Sequence, residues 1–360
     1  MHQFPRVTRE QWLKKALFAA KGKAFDADAA LQGRIEGPRA VRTETAPWKI
    51  FQRIDHPTPS KALAQTKDDL ANGADGLILP DVNLATVLEE LPLHTFALRN
   101  EAGDEGARAI IEVVQRQPID PARLKIDFGI RDAALAKDAS ALGFAGPFIR
   151  GDGRQVHAEG ATDGEEIGVA LAEAFSHLQD RTLEDSVGVT LAATQSIFDT
   201  TAKFRAARIL WREILPEVTL LLHGETSRLC LAKEDAHSNI LRIAASAFAA
   251  ALGSADSFSA IPHSLNQGVP NGFARRIARN AQLLLQHEAQ LWRVADPAAG
   301  AGAIEKRTQQ LCEEALAIFK AARRGEQITF DRTRQQASPV IGVSIHRHIT
   351  ATPADVEVET

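Results

Sequence analysis

Residues 203–223, KFRAARILWREILPEVTLLLH, contain one copy of the pattern that sets the fold. In residues 203–215 the apolar side chains recur at helical spacing with charges on the opposite face, which predicts an amphipathic helix. Residues 219–223 then form a short, mostly apolar run, which predicts a buried strand. A helix leading directly into such a strand is the unit from which parallel sheets with helical connections are built.

The same alternation of short apolar runs and helical stretches extends from Trp48 to Pro262. The candidate strands are residues 48–54, 76–79, 95–99, 124–128, 147–149, 186–191, 219–223 and 257–261. Eight such units, each followed by a segment of helical character, suit a closed barrel better than an open sheet. The sequence therefore predicts a (β/α)8 TIM-type barrel of the α/β class.

Segments of different character flank this barrel. Residues 1–47 form an N-terminal arm with a predicted helix over 9–20 and a stretch punctuated by Gly and Pro, which is expected to pack on a partner or on the barrel's outside. Residues 48–345 form the barrel with its C-terminal helix, 303–323. Residues 346–360 are a polar, acidic tail that is expected to be disordered.

Composition excludes several classes of protein. The net charge is −4, with 42 basic and 46 acidic residues interspersed, so neither nucleic acid nor an anionic membrane is an expected partner. Residues 1–15 are too polar for a secretory signal, and the longest apolar stretch, 243–252, is too short to span a bilayer. Cys230 and Cys312 belong to no Cys or Cys/His cluster, so no metal site is predicted. The expected location is the cytoplasm.

Common nucleotide, hydrolase and metalloprotease motifs are absent, but several long strings are distinctive. They are Ala202-Lys203-Phe204-Arg205-Ala206-Ala207-Arg208 with Trp211; Arg276-Ile277-Ala278-Arg279-Asn280 with Gln282 and Glu288; Val294-Ala295-Asp296-Pro297; Gly160-Ala161-Thr162; Glu225-Thr226-Ser227; and Val340-Ile341-Gly342-Val343. In this order and spacing they resemble the barrel region of methylmalonyl-CoA mutases. The helical arginines among them are more often salt-bridged than catalytic in proteins generally.

This resemblance implies a barrel threaded by the pantetheine arm of coenzyme A, in an isomerase that rearranges carbon skeletons with adenosylcobalamin. In the family a separate domain presents a His to cobalt from an Asp-x-His-x-x-Gly motif. The nearest string here, Asp235-Ala236-His237, lacks the Gly and lies in the barrel region. We therefore expect that this chain alone binds no cofactor, and that adenosylcobalamin is held by a partner subunit.

Positions that carry catalysis in the family are altered in this chain. The family's active-site tyrosine has no counterpart, because the chain contains no tyrosine. The His of the family's Gly-Tyr-His string aligns with Gln155, and its Arg-x-Ser pair aligns with Ser186 and Gly188. No catalytic residue is therefore expected, and the chain alone is expected to be inactive.

A residual pocket remains a candidate site. Lys203, and His223 at the predicted end of the seventh strand, match family positions, while Glu225 replaces a Gln. His157 lies two positions after Gln155 and would face the same way on a strand. The residual pocket candidates are thus His157, Lys203, His223 and Glu225, with acyl-CoA as the candidate ligand.

The retained scaffold and altered site resemble the small, non-catalytic subunit of heterodimeric methylmalonyl-CoA mutases. The predicted partner is then a mutase catalytic subunit in a heterodimer, or a second copy in a homodimer. An alternative is the substrate-binding subunit of a split mutase whose cobalamin domain is a separate chain. A third interpretation is a barrel with an unrelated activity, for which His157, His223 and His263 near predicted strand ends are the only indication.

Overall fold

The computed structural model of the chain describes residues 8–19, 37–44, 46–178, 186–331 and 355–357. Its strands are β1 (Lys49–Arg53), β2 (Gly76–Leu79), β3 (Ala97–Asn100), β4 (Lys125–Asp127), β5 (Arg150–Asp152), β6 (Ser186–Ala193), β7 (Thr219–Thr226) and β8 (Ser257–Ser259). All paired strands are parallel, in the order β4-β3-β2-β1-β8-β7-β6-β5.

The two ends of this sheet approach each other and nearly close a barrel. The amide of Phe128 donates to the carbonyl of Pro147 at 3.0 Å, and the amide of Ile130 donates to that of Phe148 at 2.7 Å. These bonds join the residues after β4 to those before β5. The prediction of an eight-stranded β/α barrel is confirmed.

Helices surround the sheet. They are α1 (Arg9–Ala19), α2 (Pro59–Ala71), α3 (Gly103–Gln115), α4 (Ala133–Ala141), α5 (Arg154–Ala158), α6 (Asp163–His177), α7 (Ile197–Ile214), α8 (Asn239–Leu252), α9 (Gly272–His287) and α10 (Gly302–Arg323). The β2–β3 connection instead contains the 3-10 helix Val82–Glu90. The predicted helix 303–323 corresponds to α10, which packs against α6 and α7.

The fifth strand differs from its prediction. The apolar run 147–149 was expected to be the strand, but β5 begins at Arg150 and pairs with Gly188 of β6. The apolar pattern did not predict this strand, because two of its residues are charged. Arg150 and Asp152 form ion pairs instead of packing in an apolar layer. The buried run 147–149 instead accepts the two hydrogen bonds from the residues that follow β4.

Residues near the barrel end of the arm, and the short segment 355–357 of the tail, contact the barrel. In the arm, the amide of Ala40 donates to Asp296 at 3.0 Å, and Arg42 donates to the carbonyl of Ala251 at 3.0 Å. Within the tail that was expected to be disordered, Val356 bridges Pro270, so residues 355–357 differ from that expectation. The string at 340–343 and the rest of the tail lie outside the described residues.

No helix within these described residues combines the length and apolar character that crossing a membrane requires.

Candidate functional site

An ion-pair network occupies the inside of the barrel. Its four arginines and four carboxylates come from strands on both sides of the barrel or from the residue or two that follow them: Arg53, Arg99, Glu101, Asp127, Arg150, Asp152, Arg154 and Glu225. We call this set the lumen network. Equal numbers of the two charges make it neutral, which is how buried ionic groups are tolerated.

Glu101 and Glu225 are the junctions of the lumen network. Arg53 Nη1 lies 2.6 Å from Glu101 Oε2 and 2.8 Å from Glu225 Oε2. Arg154 closes the ring, with Nη2 at 2.9 Å from Glu101 Oε1 and Nη1 at 2.8 Å from Glu225 Oε1. Both carboxylates are therefore engaged by the same two guanidinium groups.

A second layer lies beneath this ring. Arg99 pairs with Asp127 and donates to the Thr190 hydroxyl, and its Nε lies 3.3 Å from Glu101 Oε1. Arg150 Nη1 lies 3.0 Å from Asp127 Oδ1. The two layers are thus connected through Arg99 and Glu101.

The arginines determine the ionisation of the groups around them. Burial alone would raise the pKa of Glu101, but Arg154, Arg53 and Arg99 hold that pKa well below its usual value. For His223, burial and then the charge of Arg99 lower the pKa well below the ordinary value. Glu101 is therefore ionised and His223 neutral at physiological pH.

The lumen network separates two cavities. A cavity of about 860 Å³ at the carboxyl ends of the strands is lined by Arg53, Glu101, Arg154 and Glu225 from the network, and also by Gln155 and His157. A cavity of about 370 Å³ at the amino ends is lined by Phe51, Arg99, Asp127 and His223 among others. The two cavities share no lining residue, and residues of the lumen network line both of them.

Lys203, a predicted member of the residual pocket, lies away from both of these cavities. It lies within α7 rather than opening a helix, is fully buried, and lines neither cavity. Its Nζ contacts Asp163 Oδ1 at 2.9 Å and Glu166 Oε2 at 2.8 Å on α6. Burial would lower the pKa of Lys203, but these carboxylates outweigh it and raise the pKa.

Gln155 and His157 both lie on α5, so the strand alternation assumed for them does not apply. Gln155 is exposed and donates to Glu159 at 3.3 Å. His157 Nε2 lies 2.7 Å from the Ser227 hydroxyl, and its Nδ1 lies 3.4 Å from Glu166. His157 is therefore built into the contact between α6 and the end of β7, on the edge of the larger cavity.

Ser186 and Gly188 both lie on β6 and share one face of it, and Gly188 lies beside the lumen network. A Cβ at Gly188 would approach Asp127 Oδ2 at 3.3 Å and Arg150 Cγ at 3.4 Å. The missing side chain thus leaves space for the Arg150–Asp127 pair. Ser186 opens the strand opposite Thr219.

The three histidines that indicated an unrelated activity lie apart in the structure. His223 lies in the middle of β7 rather than at its end, with Nδ1 2.8 Å from the Ser257 hydroxyl and the ring edge-on to Phe51. His263 is buried elsewhere, with Nε2 3.2 Å from Asp355 Oδ2. His157, His223 and His263 therefore have different partners.

Sequence reasoning missed most of the lumen network, naming only Glu225 among its members. A signal was nevertheless present, because strands of a parallel sheet are normally continuous apolar runs. Arg53, Arg99, Asp127 and Arg150 interrupt four of these strands with charges. Charged residues within several strands of a predicted parallel barrel therefore indicate an ionic barrel interior.

Comparison with known proteins identifies the relatives of this chain. The sequence model of methylmalonyl-CoA mutase matches residues 148–326. A methylmalonyl-CoA mutase small subunit of Streptomyces virginiae is 28% identical, over 90% of this chain and 65% of that protein. A probable small subunit of Mycobacterium tuberculosis is 32% identical, over 88% of this chain and 53% of that protein. A methylmalonyl-CoA mutase of Cereibacter sphaeroides is 37% identical, over 36% of this chain and 19% of that protein.

These matches agree with the strings that first indicated the resemblance. The two small subunits align with most of this chain, which spans 53% and 65% of their lengths. The Cereibacter sphaeroides mutase aligns with a shorter segment. The chain therefore resembles the methylmalonyl-CoA mutase family over most of its own length, and its barrel resembles that of the small subunit.

Proposed function

We propose that this chain is a non-catalytic barrel subunit that supports a mutase catalytic subunit in the cytoplasm. The observation that carries the proposal is the lumen network, because catalysis in this family needs the barrel axis for the pantetheine arm of coenzyme A. Here the arginines and carboxylates fill that axis between the two cavities. With the axis occupied, docking through the outer surface is the role that we assign to this barrel.

Within the described part of the chain, the string nearest to the family's cobalt-binding motif does not fit adenosylcobalamin. The nearest string to the family's cobalt-binding motif ends in His237, whose Nε2 points to Asp355 Oδ2 at 3.3 Å. The Gly that follows in the family's motif is replaced by Ile240, inside the first turn of α8. We therefore assign the cofactor to the partner.

We expect the isolated chain not to isomerise methylmalonyl-CoA, even with added adenosylcobalamin. The chain has no tyrosine, and Gln155 cannot act as the family's His does. Gln155→His should not restore turnover, because the side chain at this position is exposed on α5. Product formation would be followed chromatographically, with a complete mutase as positive control. Turnover by the isolated chain above the background without enzyme would refute the non-catalytic assignment.

We also expect the chain to co-purify with the mutase catalytic subunit encoded nearest to it, and to form a homodimer when expressed alone. An obligate interface buries about 2,000 Å² or more, and the N-terminal arm should contribute to it. On α1 the Phe18 side chain is 87% exposed, so a partner that packs on this helix would bury it. Light scattering and pull-down experiments measure both associations.

A deletion variant tests the role of the arm. Removing residues 1–36 retains Ala40 and Arg42 on the barrel, so the thermal midpoint should change little. Association should weaken at least tenfold. Unchanged association would exclude the arm from the interface, and a monomer that binds no mutase subunit would refute the docking function.

A split mutase remains the second candidate function, because the 860 Å³ cavity at the carboxyl mouth is large enough for part of an acyl-CoA. Micromolar binding of methylmalonyl-CoA to the isolated chain, measured by calorimetry, would favour this candidate over the scaffold. We expect no such binding, because the lumen network blocks the path of the pantetheine arm.

A further inference from the structure

Three side chains outside both cavities converge on one point. His237 precedes α8 in the loop after β7, His263 lies in the loop after β8, and Asp355 belongs to the short segment 355–357. Their ligand atoms, one from each residue, all lie within 4.8 Å of one another. Asp355 is separated from the two histidines by 118 and 92 residues, so no short sequence motif predicts the group.

The two contacts of this group are long for charge-assisted hydrogen bonds, and their lengths also suit ligands that share a cation. Both imidazole Nε2 atoms approach the same oxygen, Asp355 Oδ2, at 3.3 Å from His237 and 3.2 Å from His263. Charge-assisted hydrogen bonds between nitrogen and carboxylate are shorter, about 2.7–2.9 Å. Ligands at about 2.0–2.2 Å from a tetrahedral zinc ion are about 3.3–3.6 Å apart, so one separation lies at the lower end of this range and the other about 0.1 Å below it.

The backbone holds Asp355 in place independently of its carboxylate. The Asp355 carbonyl accepts from the Ser264 hydroxyl at 2.7 Å and from the Asn271 amide at 3.1 Å, and the Glu357 amide donates to Val269 at 2.7 Å. The hydrogen bonds between segment 355–357 and residues 264–271 therefore hold the Asp355 carboxylate close to the two histidines. A ligand that is positioned before the ion arrives costs little to organise on binding.

The two histidines differ in their surroundings. His263 is buried and packs edge-on against Phe273, and its carbonyl accepts from Asn239 at 2.9 Å, so its ring is fixed. His237 is 45% exposed and can adjust its ring. One side of the group therefore faces solvent, which leaves room for water as a fourth ligand.

We propose that His237, His263 and Asp355 form a binding site for a divalent transition ion of the zinc type. Two imidazoles and one carboxylate are ligands that such ions prefer over Mg²⁺, which takes oxygen ligands in octahedral geometry. The ion fastens residues 355–357 to the β7 and β8 loops at the carboxyl mouth. The site is independent of the docking function proposed above.

Metal binding to the full chain, prepared without a polyhistidine tag and stripped with chelator, tests this site. Calorimetry with ZnCl2 should show one equivalent bound at micromolar or tighter affinity, and MgCl2 should show no binding. His237→Gln and Asp355→Asn should each weaken zinc binding at least tenfold. His94→Gln, which changes an exposed histidine elsewhere, should bind as the wild type does.

Hydrogen exchange provides a second readout on the same protein. Zinc should slow exchange at the Glu357 and Asn271 amides in the wild type and not in Asp355→Asn, because the ion stabilises the bridge to which both amides belong. Absence of zinc binding by the wild type, equal binding of Mg²⁺, or unchanged affinity in both ligand variants would each overturn the proposal.

Discussion

Lys203→Met is expected to destabilise the fold by about 3–5 kcal/mol, the usual cost of removing one partner from a buried ion pair. Lys203 and Glu166 are both fully buried, and Asp163 completes the group. Methionine fills a similar volume but leaves the two carboxylates without their cation. Urea unfolding at pH 7, compared with the wild type, measures the loss.

A matched substitution separates this effect from the general consequences of replacing lysine. Lys306→Met changes an exposed lysine on α10, and it should alter the free energy of unfolding by less than about 0.5 kcal/mol. The double variant Lys203→Met/Glu166→Gln should lose less free energy of unfolding than the two single variants lose together. The second substitution removes one of the charges that Lys203→Met leaves unpaired. A Lys203→Met loss under about 1 kcal/mol would refute the structural role.

The pH dependence of the Lys203 contribution follows from the pKa shifts on both sides. Burial acts to raise the pKa of Asp163, but Lys203 lowers it, so this carboxyl stabilises the fold above its unfolded pKa and loses the contribution as pH falls through the folded value. The raised pKa of Lys203 keeps its own contribution intact up to the ordinary lysine value. The difference between wild type and Lys203→Met should thus be constant from about pH 7 to 10 and shrink below about pH 4.

The barrel could be predicted from the sequence because its helices and most of its strands follow apolar periodicity. This signal located the strand that begins at Thr219 and most of α7, although α7 begins at Ile197, six residues before the predicted start at Lys203. The exception is β5, where Arg150 and Asp152 serve the lumen network and break the apolar pattern. Periodicity detects burial against apolar neighbours, so it misses strands whose inward side chains are ionic.

The candidate site was harder to predict for the same reason. Matching positions suggested that Lys203 and His223 share a mouth-side pocket, but a match does not specify the direction of a side chain. Lys203 points toward Asp163 and Glu166 on α6, and His223 lies mid-strand, beside the amino-end cavity. Partners distant in the chain, which no single-sequence pattern encodes, determine both outcomes.

Glu101→Gln is the second substitution expected to have a large effect, again about 3–5 kcal/mol at pH 7. The Glu101 carboxylate contacts Arg53 at 2.6 Å, Arg154 at 2.9 Å and Arg99 at 3.3 Å. Glutamine has the same shape, but it removes the negative charge and turns an amide donor toward guanidinium groups. The lumen network would then carry an uncompensated positive charge inside the barrel.

Unfolding experiments at low pH distinguish loss of the Glu101 charge from loss of packing at this position. The pKa of Glu101 is held well below its usual value, so its contribution is present above the unfolded pKa and is lost as pH falls through the folded value. The free-energy gap between wild type and Glu101→Gln should therefore narrow below about pH 4. Glu112→Gln is the control: its exposed carboxylate pairs with Arg116 at 3.3 Å, and it should cost at most about 0.5 kcal/mol. If the free-energy difference between wild type and Glu101→Gln stayed the same below about pH 4, the charge of Glu101 would not be what stabilises the lumen network.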